Sequence, residues 1–106
     1  MTLIEILTFA GCPNADGAMA LVERVITEAG IDADVRRVEV RDADVAAEQR
    51  FLGSPTVRVN GRDVEPGADE RDEFVYACRV YRTPTGFRGQ PEESWLRDAL
   101  EPPHIG

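Results

Sequence analysis

The feature that most constrains this chain is the order of patterns between Leu3 and Val40. Leu3-Ile4-Glu5-Ile6-Leu7-Thr8-Phe9 is almost continuously apolar and β-branched, the pattern of a central strand covered on both faces. Ala10-Gly11 ends it. From Asn14 to Ala29, the residues Ala18, Val22, Val25, Ile26 and Ala29 recur at helical spacing, and Gly30 stands where a left-handed cap stops a helix. Asp34 to Val40 then supplies Val35, Val38 and Val40 as a second strand, after a connection long enough for a right-handed parallel crossover. The chain therefore opens with a βαβ unit, and its class is α/β.

The remainder reads as a second, shorter set of elements. Asp44 is the expected N-cap of a short helix in which Val45, Gln49 and Leu52 share a face and which Gly53 terminates. Ser54-Pro55 follows at once. Thr56 to Val59 and Arg62 to Val64 flank Asn60-Gly61, whose tolerance of positive φ suits a two-residue type I′ hairpin turn. Pro66 to Glu73 reads as a solvated acidic loop without calcium-loop spacing. Phe74 to Arg82 fits strand alternation and a helix turn about equally, and its Val and Tyr content favours an extended segment. Pro84 and Gly86 mark a turn. Pro91 takes the first position of a closing helix, where Glu92 and Glu93 favour the dipole and Trp95, Leu96, Ala99 and Leu100 form the apolar face. Pro102-Pro103 ends that helix, and residues 101–106 read as a tail that includes the sole histidine, His104. Tyr76, Tyr81 and Trp95 have the spacing of packing residues.

At 106 residues this is one domain spanning 1–106, with no room for a second folding unit. Twenty acidic against twelve basic residues give a formal charge of -8, a field that repels phosphate backbones and anionic lipid heads. No nucleic acid and no membrane partner is expected. All the basic residues are arginines, so Schiff-base chemistry and a P-loop lysine are unavailable. Phe9-Ala10-Gly11-Cys12 loosely imitates the end of a lipoprotein signal, but no basic residue precedes the apolar run and Glu5 interrupts it. Cys12 and Cys78 are too few for the disulfide framework of a small secreted domain, and a cytoplasmic location is expected.

Cys12 lies where a buried strand turns into the first helix, so its sulfur can sit against unpaired backbone N–H groups at the positive end of the helix dipole. Pro13 agrees with a helix start, where a missing N–H is no loss. The competing reading is an inert small core residue; the Gly11-Cys12-Pro13 context favours reactivity.

This arrangement resembles the thioredoxin and glutaredoxin superfamily over most of the chain. The matching features are a first strand leading to Cys12 at a helix start, a second βα unit, Ser54-Pro55 before the third strand, and a hairpin followed by a final helix. Gly53-Ser54-Pro55-Thr56-Val57 and Val59-Asn60-Gly61-Arg62 look especially glutaredoxin-like. The resemblance implies a thioredoxin-like mixed four-stranded sheet with flanking helices, in the order βαβαββ plus an added segment and a C-terminal helix. It also implies a cis-proline at Pro55 beside the active-site cysteine, and substrate contacts from Pro13, Ser54 and Pro55. The expected activity is thiol-disulfide exchange, without a cofactor, on a low-molecular-weight thiol or a protein disulfide.

The departure is Cys12-Pro13-Asn14-Ala15, with Ala15 where a dithiol relative carries its second cysteine. A mixed disulfide at Cys12 then needs an external thiol, a partner, or Cys78, the one other cysteine, which lies in the added segment. Cys78 as a second thiol and Cys78 as a packing residue stand as equal readings. Two further functions fit the same atoms. Paired thiolates near Asp16 would suit mercury, copper(I) or zinc, and they share their residue types with an organomercurial lyase. The fold could also serve as a binding module holding an extended peptide beside Pro55.

Overall fold

A computed structural model describes residues 2–100. The tail expectation, with His104, lies outside them. Strand β1, Thr2–Thr8, runs parallel to β2, Ala33–Glu39, in continuous register from Thr2 opposite Ala33 to Thr8 opposite Glu39. On its other side it pairs antiparallel with β3, Thr56–Val59, and β3 pairs with β4, Arg62–Asp63. The resulting mixed four-stranded sheet has the order β2-β1-β3-β4, with the most apolar run of the sequence inside it.

Among the described residues three helices accompany the sheet: α1, Ala15–Ala29; α2, Ala43–Glu48; and α3, Glu93–Leu100. The pleat of β1 explains the two cores, since alternate residues leave a strand on opposite faces. Ile4 and Ile6 join Val57 and Val59 against Ala18, Leu21, Val22 and Val25 of α1 and Leu96 of α3. Leu7 packs with Val40, Ala46 of α2 and Phe51. Among the described residues no helix is long and apolar enough to cross a membrane.

Gly30 caps α1 at φ 67° as its sequence position requires, its N–H reaching Thr27 O at 3.3 Å. Asn60 and Gly61 take φ values of 52° and 84°, the pair of left-handed residues a type I′ turn demands. Asn60 also ties the hairpin to the first strand, its Oδ1 accepting from the Leu3 N–H at 2.9 Å and its own N–H donating to Leu3 O at 2.7 Å.

Several expected boundaries move. The cap of α2 is Asp42, not Asp44: Asp42 is extended and accepts from the Val45 N–H at 2.9 Å, while Asp44 already lies in the first turn. That helix ends at Glu48, well before Gly53, and Arg58 of β3 satisfies its end by donating to Gln49 O at 2.6 Å and Arg50 O at 3.1 Å. Burial holds the Arg58 guanidinium below its usual range. The closing helix starts at Glu93, not Pro91: Pro91 is buried just before it, and the Trp95 N–H donates to Glu92 O at 3.1 Å at its start. The acidic loop is not wholly solvated, since a 3-10 turn over Ala68–Glu70 buries Ala68. A second hairpin, β5 at Tyr81–Thr83 and β6 at Gly86–Arg88, forms its own two-stranded sheet around the Pro84 turn.

Candidate functional site

Cys12 ends a tight turn. Its N–H donates to Phe9 O at 3.2 Å, and Gly11 takes φ 84°, the positive value that the third residue of a type II turn needs. The helix begins after it: Ala15 is the first helical residue, Asn14 the N-cap, and Pro13 an exposed residue of the intervening turn. The Cys12 carbonyl accepts from the Ala15 N–H at 3.3 Å. Cys12 itself is half-buried, while Ala10, Gly11 and Pro13 around it are exposed.

Ser54 and Pro55 are both buried, and the peptide bond between them is cis. Ser54 Oγ accepts from the Phe9 N–H at 3.3 Å, which fastens it to the turn that carries Cys12. Its main chain faces another segment. The Ser54 N–H donates to Ala77 O at 2.9 Å, and Ser54 O accepts from the Arg79 N–H at 2.9 Å. These two bonds form a parallel β-bridge between Ser54 and Cys78. A single residue is thus bonded on one side to the Cys12 turn and on the other to both neighbours of Cys78. Both cysteines are free thiols, and Cys78 is exposed.

The bridging segment, residues 75–79, is not the extended strand its composition suggests: it bends at Tyr76 and Ala77, and within it only Cys78 is in a β-bridge. Two anchors hold it. At the near end, Val75 N–H donates to Phe51 O at 2.9 Å, and the Tyr76 ring lies 5.3 Å from that of Phe9. At the far end, Arg79 turns inward until its side chain is 2% exposed. Its guanidinium donates to Asp63 at 2.7 and 3.2 Å, to Glu65 at 2.7 Å and to Thr56 Oγ1 at 3.0 Å, and it lies 4.3 Å from the Tyr81 ring centroid. Burial pulls Arg79 down, but Tyr81, Asp63 and Glu65 outweigh it and the net shift is upward. Tyr81 donates its hydroxyl to Pro55 O and is fully buried, and that burial pushes its phenol above the usual range.

Gly53 completes the seat. It has φ 117°, and a Cβ there would lie 2.8 Å from Arg79 Cβ and 3.0 Å from Arg79 Cα. Its function is the close approach of two backbones rather than the helix stop expected of it.

Sequence reasoning marked Cys12, Pro13, Ser54, Pro55 and Cys78, and of these Ser54 is the one bonded toward both cysteines. It missed Arg79, Asp63 and Glu65, because among twelve arginines nothing in local composition marks one as buried. Tyr81 and Trp95 pack with ring centroids 6.2 Å apart, and Tyr76 packs on Phe9 while remaining 41% exposed. Asp16, the carboxylate considered beside a thiolate metal site, is exposed and paired with Arg37 at 3.3 Å. Among the described residues no group of three or more His, Cys, Asp or Glu side chains is placed to hold a metal ion. No family model, curated protein or solved structure matches this chain.

Proposed function

We propose that the protein is a thioredoxin- or glutaredoxin-like thiol-disulfide oxidoreductase in which Cys12 is the nucleophile and Cys78 the resolving thiol. The observation that carries the reading is the bonding of Ser54 to both cysteine-bearing segments. A reactive thiol needs access, which half-exposure of Cys12 and exposure of Cys78 provide, and the bonds of Ser54 tie the two segments that carry them to one residue.

In the first step the Cys12 thiolate attacks one sulfur of a disulfide, forming a mixed disulfide and expelling the other sulfur as a thiolate. The Cys78 thiolate then attacks the Cys12 sulfur and releases the second half of the substrate, so the substrate disulfide is reduced by two electrons and the protein is oxidised by two. A low-molecular-weight thiol, two equivalents per turn, returns Cys12 and Cys78 to the reduced state and leaves as its own disulfide. Closing the Cys12 to Cys78 bridge requires their Cα atoms to come within roughly 7 Å.

The test is a thiol-coupled disulfide reduction assay with single-cysteine variants. Cys12→Ser is expected to abolish exchange. Cys78→Ser is expected to accumulate a mixed disulfide at Cys12, seen by intact mass, that only added thiol releases. Equal turnover by wild type and Cys78→Ser at one reductant concentration would leave Cys12 acting alone.

A further inference from the structure

We infer that residues 75–79 are a built-in occupant of the backbone edge beside Cys12, so that the site takes small disulfides and excludes extended polypeptides; the inference rests on the thiol-exchange reading of Cys12. An extended chain is aligned at a sheet by donating to and accepting from a free edge. Ser54, the residue that continues β3 toward the Cys12 turn, has no such edge left. Its side chain is used by Phe9, and its N–H and C=O are used by Ala77 and Arg79. Pro55 has no N–H to offer, and its carbonyl is taken by the Tyr81 hydroxyl.

A peptide could gain this edge only by displacing the segment, and the anchors oppose that. Lifting Arg79 would strip the guanidinium from Asp63 and Glu65, whose side chains are only 7% and 10% exposed. Removing one member of a buried ion cluster leaves the others uncompensated and is strongly unfavourable. The close contact between Gly53 and Arg79 is a product of the same seating.

The other side of the Cys12 turn stays open. An open cleft of about 370 Å³ lies at the ends of β1 and β2, lined by Thr8, Phe9, Ala10, Arg37 and Glu39; Cys12 is not part of its lining, but the cleft leaves the Phe9 and Ala10 side of the turn uncovered. A disulfide of a low-molecular-weight thiol needs no edge, only access to the Cys12 sulfur.

The experiment compares the reduced full-length chain acting on glutathione disulfide and on insulin, each rate divided by that of free cysteine with the same disulfide. Glutathione disulfide is expected to be favoured about tenfold or more, as the loss of two aligning backbone hydrogen bonds implies. Tyr76→Ala, which loosens the exposed end of the segment, is expected to raise the insulin rate severalfold relative to the glutathione disulfide rate. Arg79→Met loosens the buried end and is the second variant, with amide hydrogen exchange at Ser54 and Arg79 reporting whether the segment has opened. Equal normalised rates in the wild type would overturn the inference while leaving thiol exchange intact. So would an unchanged insulin rate in variants whose Ser54 and Arg79 amides exchange faster. Absence of exchange with both disulfides, in folded protein whose Cys12 iodoacetamide still labels, would overturn the thiol reading itself and this inference with it.

Discussion

At Gly53 one hydrogen atom in place of a methyl group decides whether two backbones can touch. A Cβ at that position would sit 2.8 Å from Arg79 Cβ, and the local φ of 117° is one that a side chain rarely adopts. Neither neighbour can yield, because the Arg79 main chain is bonded to Ser54 and its side chain is held by Asp63 and Glu65. Gly53→Ala is therefore expected to lower stability by about 2 to 4 kcal/mol in urea unfolding, from backbone strain and overpacking together. A loss within the ordinary range of a surface change would show that the segment is not seated as described. Tyr81 makes a pH-dependent claim. Its folded phenol ionises above the usual value of 10.0, first because it is buried. The unfolded chain then loses that proton first as pH rises, so the contribution of the neutral phenol is complete below about pH 10 and falls away above it. Tyr81→Phe is expected to be less stable at neutral pH, having lost the bond to Pro55 O, but to decline less steeply above pH 10 than wild type. Parallel decline of the two proteins in unfolding curves taken across that range would contradict the assignment.

At the scale of elements, α2 spans only Ala43–Glu48, and its stability comes from its ends and from one buried face. A helix this short forms few internal hydrogen bonds, so satisfying its terminal groups matters more than propensity. Asp42 supplies the N-terminal acceptor and Arg58 the C-terminal donors, while Ala46 enters the core with Leu7, Val40 and Phe51. Asp42→Ala is expected to cost about 1 kcal/mol in unfolding free energy. Asp44→Ala, at the position the sequence pattern favours, is expected to cost less, and the reverse order would restore Asp44 as the cap. The segment 75–79 is the opposite kind of element: a single β-bridge, held by a half-exposed aromatic contact at one end and a buried ion cluster at the other. Its far half is the better anchored, because Tyr76 remains 41% exposed while Arg79 is buried.

Over the whole molecule, α1 and α3 cover one face of the sheet and α2 with Phe51 covers part of the other. The exposed ion pairs that link α1 to α3, Arg24 with Glu93 at 2.6 Å and Arg97 with Glu28 at 2.9 Å, are screened by salt and add little. The apolar contact of Leu96 with the larger core carries the docking of α3. Leu96→Ala is expected to destabilise by about 2 to 5 kcal/mol, visible as a lower urea midpoint, with the exact loss set by how far α3 can settle into the space. A change below that range would move the docking energy of α3 to its ion pairs. The central placement of Leu3 to Phe9, the parallel crossover through α1, the Gly30 stop and the Asn60-Gly61 hairpin were all legible in the sequence. Each depends on a local property: an apolar run, a period of 3.6, or a residue that accepts positive φ. Cys12, Ser54 and Cys78 were legible as residue types, and the relation among them was not. The tertiary structure alone decided that Ser54 is bonded to both sides, that Gly53 is a contact point rather than a helix stop, and that one arginine of twelve is buried. Those facts depend on Arg79 meeting Asp63 and Glu65, which lie 16 and 14 residues earlier in the chain, and on the 75–79 segment returning to the end of β3, and contacts between residues so far apart leave no mark in a local pattern.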